Sequence, residues 1–235
     1  MVKKTLKKNF YQMKSTTKTK NKNKSKKKIN PNEKQKNKNK IKEKKKVLND
    51  VKNFFNIYLN SLESKLITTN DQLELIKTGI KNFDKKKKIK IKLLFRASRD
   101  GDNNKSYHDK CDGIAPTISV IKTKTGYTFG GYTDCVLNST SGCTKTNNSF
   151  IFSFDKMKIY KGVNGGYFHC GTDCGPWFCG CIGVDGDNYF KTENSYQWEI
   201  NRFNFFEGFT EEYELVGGKR HFSVEDVEVL QVQFI

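Results

Sequence analysis

Five residues crowded between His169 and Cys181 carry side chains that a soft metal ion can use. His169 and Cys170 adjoin, Cys174 follows after three residues, Cys179 after four more and Cys181 after one. Thiolates and an imidazole at short spacing are the donors of a tetrahedral zinc site. None of these spacings is a Cys-x2-Cys pair, however, and the competing reading makes the cysteines small residues of an apolar interior. A second pair, His108 and Cys111, falls three apart on one predicted helix and therefore on one face. An imidazole beside a thiol can make it nucleophilic or peroxide-sensitive. The alternative is that both residues fix the helix to a sheet, where a buried thiol is inert. The carboxylates Asp100, Asp112, Asp134, Glu225, Asp226 and Glu228 follow strands or turns, a pattern of caps, turns and surface positions more than of acid-base catalysis. Gly130-Gly131 and Gly165-Gly166 lack the following helix and lysine of a phosphate cradle. With three histidines in the chain, no Ser/His/Asp triad can be assembled from sequence. These residues favour a protein that binds over one that turns substrate over, and no cofactor is expected.

The elements that must position these groups are mainly strands. Ile89, Ile91, Leu93 and Phe95 alternate with lysines and Leu94, the period of a strand with one face on a core. Asn103-Asn104 can cap a helix carrying Tyr107, His108 and Cys111. Pro116 opens a second extended run in which Ile118 and Val120 face one way and Thr117, Ser119 and Ile121 the other. Thr125-Gly126 reads as a hairpin turn, and Gly130-Gly131 as a place in the returning strand that something approaches closely. Phe150, Phe152 and Phe154 share one strand face, and Val224 to Phe234 reads as the last strand. Helical spacing predicts an amphipathic helix over Val47 to Leu66, through Val51, Phe54, Phe55, Tyr58 and Leu62. A second follows Thr69, which sits at capping-box distance from Gln72, with Leu73, Leu75, Ile76, Ile80 and Phe83 as its buried stripe. Further apolar pieces carry Trp198, Ile200, Phe203, Phe205 and Phe206. The fold class is α+β, mainly β: an antiparallel β-sandwich with flanking helices.

Charge divides the chain. The formal net charge is +19, and residues 1–46 hold 20 lysines against two glutamates. The remaining residues are close to neutral, with 24 basic and 23 acidic side chains, so they offer no general field for steering onto phosphate backbones. Residues 1–46 form a Lys/Asn/Thr/Ser tract expected to be disordered, because it cannot bury enough surface to offset the entropy of ordering. It reads as a solvated extension, a nuclear-localisation signal, or a polybasic contact with RNA or anionic lipid. Its densest clusters, Lys26 to Lys28 and Lys44 to Lys46, have no aromatic residue between them for stacking on bases. Residues 47–60 are a helical lead-in and 61–235 the folded domain. No apolar run reaches about 18 residues, and no apolar segment follows the basic start. The expected location is the cytoplasm or nucleus, where seven cysteines should be mostly thiols.

Seven ordered blocks carry a family resemblance. LLFRASRDG (93–101), YHDKCDG (107–113), APTISVIK (115–122), GYTFGGYTD (126–134), NSFIFSF (148–154), GPWF (175–178) and FSVEDVEVLQV (222–232) are similar to the signature blocks of the TLDc domain, the module of the oxidation-resistance proteins. The resemblance implies the same sandwich. It further implies protection against oxidative stress, through association with the cytosolic sector of the vacuolar proton-pumping ATPase. His108 and Cys111 fit the family's His-x-x-Cys-Asp block, and Ser64 to Ile67 its entry segment. Cys179 and Cys181 stand where the family has glycines, and Gly79 and Leu137 where it has tryptophans. A competing function is a thiol-based redox protein, or a weak peroxide-consuming enzyme, using Cys111 and His108.

Overall fold

The structure is a computed structural model. It describes residues 36–47, 49, 62–83, 89–139, 142–169, 171–185, 188–191, 193, 195–197 and 205–235. Two compact units divide the chain, Met1–Asp50 and Val51–Ile235.

In the first unit, residues 36–47 form a helix whose side chains are all exposed. Lysine and glutamate lose little rotamer freedom in a helix, so the segment can be helical without a buried face.

The second unit holds two antiparallel sheets. Sheet one is built on β1 (Ile89–Arg96), β2 (Thr117–Thr123), β3 (Thr128–Thr133), β5 (Ser149–Ser153), β6 (Lys158–Gly162), β11 (Phe206–Glu207) and β13 (Val224–Phe234), in the order β1-β13-β2-β3-β5-β6-β11. Sheet two contains β4 (Cys143–Lys145), β7 (Tyr167–His169), β8 (Cys174–Phe178), β9 (Ile182–Asp185), β10 (Ser195–Gln197) and β12 (His221–Phe222), in the order β12-β10-β9-β8-β7-β4. Among the described residues of this unit, three α-helices accompany them: α1 (Asn70–Phe83), α2 (Ala97–Asp100) and α3 (Asn104–Cys111).

Sheet one is apolar on both faces, and the period-two alternation sorts its residues into two cores. Ile121, Phe129, Ile151, Val227 and Val229 point between the sheets, where they meet Phe168, Phe178 and Ile182 of sheet two. Ile118, Val120, Phe150, Phe152, Leu230 and Val232 point the other way, against Leu73, Ile76 and Ile80 of α1. Strand β1 breaks the expected alternation. Ile91 and Leu93 lie in the helix-side core, but the register with β13 shifts between Leu93 and Phe95, and Phe95 joins the core between the sheets. A bulge of this kind places two successive residues on one side of a strand.

Helix α1 starts as its sequence predicts. The Gln72 amide donates to Thr69 Oγ1 at 3.2 Å, and the Thr69 amide to Gln72 Oε1 at 3.0 Å. Gly79, where the family resemblance calls for a tryptophan, has a packing reason: a Cβ there would stand 2.6 Å from the Phe150 ring. The helix expected over Val47 to Leu66 does not reach its end. Residues 62–66 are not helical, with Glu63 at φ 57, while Leu62 and Leu66 are buried in the helix-side core. Val51, Phe54, Phe55 and Tyr58 lie outside the described residues, as do Trp198, Ile200, Phe203 and the side chain of Phe83.

The segment after β11 is held by one carboxylate. Glu214 accepts hydrogen bonds from Tyr160 Oη, from the Thr210 amide and hydroxyl at 3.0 and 2.9 Å, and from the Glu211 amide at 3.1 Å. Burial alone would raise its pKa, but these donors outweigh burial and hold it at about 2, below the ordinary 4.5. Because the folded value is depressed, the stabilisation is complete above the ordinary carboxylate range and is lost as pH falls toward 2. The shift corresponds to about 3 kcal/mol. Glu214→Gln should therefore lower unfolding stability by about that amount at pH 7, with the gap from the parent chain closing toward pH 2. Urea titrations across that range measure it.

Candidate functional site

Helix α3 is set by its cap, where Asn103 accepts from the Ser106 amide at 2.9 Å, and by the burial of Tyr107 and Cys111. His108 lies beside this buried face and is engaged at both ring nitrogens. Its Nδ1 is 2.9 Å from Asp112 Oδ1, and its Nε2 is 2.9 Å from the Gly171 carbonyl and 3.2 Å from that of Cys174. The ring thus ties α3 to the start of β8 in sheet two. Ser139 Oγ lies 3.1 Å from the same Nδ1 and donates to Asp112 Oδ2. A serine, a histidine and an aspartate have come together, but Ser139 and Asp112 share one ring nitrogen while backbone carbonyls occupy the other. A proton relay needs nucleophile and carboxylate on opposite nitrogens.

His108 does not activate Cys111. The Cys111 thiol is fully buried, and burial, reinforced by Asp112 and Asp100, pushes its pKa far above the usual thiol range. Iodoacetamide applied to the native protein should leave Cys111 unmodified until denaturant is added. Peptide mass mapping before and after unfolding reads this out, and rapid native labelling would contradict it.

The carboxylates fall where turns and caps need them, with one exception. Asp134 accepts the amides of Asn147 and Asn148, both at 3.1 Å. Asp100 accepts the Arg96 amide at 2.9 Å and pairs with Arg99 at 2.7 Å. Burial pushes its pKa up, but the hydrogen bonds from Arg99 and the Arg96 amide prevail and lower it. Asp226 takes the Ser98 amide and hydroxyl at 3.0 and 2.6 Å. Exposed Glu225 meets Lys122 at 2.8 Å.

Glu228 is the exception and corrects the surface reading, because it is 0% exposed. Arg96 Nε donates to it at 2.7 Å, and it also accepts from Ser64 Oγ and from the amides of Lys65 and Leu66. Arg96 donates in turn to the Glu63 carbonyl. One carboxylate on the last strand thus nails down the entry segment.

Of the described residues between His169 and Cys181, Cys181 parts from the others, and one unforeseen residue, Cys143, joins them. Cys143 and Cys179 form a disulfide, so these two depart from the expectation of mostly reduced thiols. Cys111, Cys135, Cys174 and Cys181 remain as thiols. Cys181 is buried in the core between the sheets, and burial together with Glu214 pushes its thiol well up. Cys174 is buried as well, with its Sγ donating to the Gly171 carbonyl at 3.5 Å. Cys170 lies outside the described residues.

His169 stays with Cys179 and gains Cys143 through the antiparallel register of β4 and β7, which pairs Cys143 with His169. Among the described residues, two sets of donor atoms lie mutually within 4.8 Å: Cys143, His169 and Cys179, and His169, Asp173 and Cys174. Sequence reasoning missed Cys143 because it is 26 residues from its strand partner. A three-residue exposed strand carries no local signal of that pairing.

Together these features define a helix-clad antiparallel β-sandwich whose conspicuous ionisable groups are mostly bound up in its own architecture. Residues 61–233 match the family model of the TLDc domain, and the chain belongs to that family. The match covers well over half of the sequence and contains both cores and every candidate site residue. No helix among the described residues is long and apolar enough to cross a membrane.

Proposed function

We propose that this protein acts by binding another protein, in the manner its family resemblance implies. It protects against oxidative stress by associating with the cytosolic sector of the vacuolar proton-pumping ATPase, in the cytoplasm. The observation that supports binding over catalysis is the engagement of His108. Its two nitrogens are taken up by Asp112 and by backbone carbonyls, and its neighbour Cys111 is buried with a raised thiol pKa. A general base or an activated thiol needs a free lone pair or an accessible sulfur. The basic tract, whose helical residues 36–47 are wholly exposed, adds a non-specific contact with RNA or anionic membrane.

Affinity capture with the immobilised full chain from a lysate of vacuolated cells tests the reading. Recovery of soluble pump subunits is expected, and their absence under conditions that preserve the assembled pump would sink it. Repeating the capture with residues 1–46 deleted separates the tract from the domain, since pump recovery should persist while RNA and anionic vesicle binding fall.

The competing reading is a redox protein, and the observation favouring it is the Cys143–Cys179 disulfide. It would therefore rest on that pair instead of on Cys111 and His108. A peroxide-decay assay comparing the parent with Cys111→Ser and Cys143→Ser distinguishes these two locations.

A further inference from the structure

Three neighbouring strands deliver chemistry to one corner of sheet two. Strand β4 is its edge strand, and exposed Cys143 at the start of β4 lies opposite His169 at the end of β7. His169 in turn lies opposite Trp177, which stands in β8 two residues before Cys179. The result is two sulfurs and an imidazole nitrogen within 4.8 Å of one another, drawn from positions that are remote in sequence.

We propose that, once the Cys143–Cys179 bond is reduced, Cys143 Sγ, Cys179 Sγ and His169 Nδ1 bind a zinc ion, so that this corner alternates between a disulfide and a metal site. The distances suit the ion. With Zn–S near 2.3 Å and Zn–N near 2.0 Å, a tetrahedral site sets sulfur and nitrogen about 3.6 Å apart and two sulfurs about 3.8 Å apart. Cys143 Sγ is already 3.9 Å from His169 Nδ1. The two sulfurs must separate, which reduction allows, and the Cys179 sulfur already lies within 4.8 Å of the imidazole donor.

His169 Nε2 has the exposed carboxylate of Asp173 close by, Oδ1 at 3.7 Å, which is longer than a hydrogen bond. A small rotation of Asp173 would let it accept from Nε2–H and leave the Nδ1 lone pair toward the sulfurs, as carboxylates placed behind metal-binding histidines do. Trp177 flanks the ring at 5.0 Å between centroids and limits its swing. Cys143 is exposed, so the ion has a path in and water can fill the fourth position.

The chemistry balances. A dithiol reductant donates two electrons, and with two protons the disulfide becomes two thiols while the dithiol becomes a disulfide. Zinc then displaces both thiol protons. Hydrogen peroxide reverses the process: the sulfur–sulfur bond re-forms, two electrons pass into the O–O bond, and that bond breaks and takes up two protons to give two waters. Zinc is released.

The full chain, reduced and freed of reductant under anaerobic conditions, should be titrated with Co2+ and then Zn2+. A stoichiometric metal is expected, with a thiolate-to-cobalt charge-transfer band and the visible bands of tetrahedral cobalt, and the oxidised chain should show neither. Cys143→Ser and His169→Ala should each lower affinity at least tenfold, and Asp173→Asn should lower it by a smaller factor while keeping the spectrum. Circular dichroism verifies that each variant is folded, and His169→Ala leaves both sulfurs in place should Cys143→Ser fold poorly. Peroxide added to the zinc form should release the ion as the Cys143–Cys179 bond returns in peptide mapping. No metal bound by the reduced chain, or affinity unchanged in both Cys143→Ser and His169→Ala, would overturn the proposal. Pump capture does not depend on either result, so this inference and the proposed function fail separately.

Discussion

Glu228→Ala is expected to cost about 3–5 kcal/mol of unfolding stability, the range for removing one partner of a buried ion pair. Its side chain is fully buried, and Arg96 is nearly so at 7% exposure, which leaves the guanidinium without its counter-charge. The damage extends further, because the same carboxylate holds Ser64 Oγ and the amides of Lys65 and Leu66. Urea titration should show a lower midpoint with little change in slope. Hydrogen exchange should show the Lys65 amide opening ahead of the β-sheet amides. Removing both charges with Arg96→Met and Glu228→Leu should recover only part of the loss. An apolar pair can replace buried charges, but the orphaned amides still cost about 1–3 kcal/mol each. An unchanged midpoint for Glu228→Ala would falsify the anchoring role.

Gly130→Ala should be at least as damaging, with a loss above about 3 kcal/mol from overpacking at a site that cannot yield. A Cβ at Gly130 would stand 1.9 Å from the Ser119 carbonyl oxygen, which belongs to the paired strand. That oxygen cannot move without parting the β2–β3 ladder. Gly131→Ala makes the informative contrast. Its Cβ would meet the Phe178 ring at 2.4 Å, a side chain and not a backbone atom. Shortening the ring with Phe178→Leu should therefore rescue Gly131→Ala in part, whereas Phe152→Leu should do little for Gly130→Ala. Thermal melts of the four variants decide the matter, and equal rescue in both pairs would contradict it.

What sequence reveals here follows the range of each interaction. The Phe150, Phe152 and Phe154 stripe, the opposed faces of Ile118 and Ile121, and the Thr69–Gln72 capping box are local patterns, and the structure realises each. Gly130-Gly131 announces close approach because glycine in a strand is otherwise a loss. The bulge in β1 has no such signature, since its residues alternate as a plain strand would and only pairing with β13 shifts them. Glu228 sits among Val, Glu and Gln in a segment that looks half-solvated, and its partner Arg96 is 132 residues away. Cys143 is hidden for the same reason. Strand pairing, not spacing along the chain, brings it to His169. The cluster of donor atoms is therefore half legible in the sequence, which singles out His169 and Cys179 but not Cys143.

The order β1-β13-β2 means that the last strand is threaded between the first two. Strand β13 hydrogen-bonds Ile89 to Phe234 on one side and Thr117 to Gln231 on the other. A nascent chain on the ribosome therefore carries an open seam through the middle of sheet one, two unsatisfied strand edges facing each other, until residue 234 has cleared the exit tunnel. Closure of sheet one therefore waits on the emergence of β13, and a product stalled or truncated before that strand exposes the sticky edges that chaperones recognise.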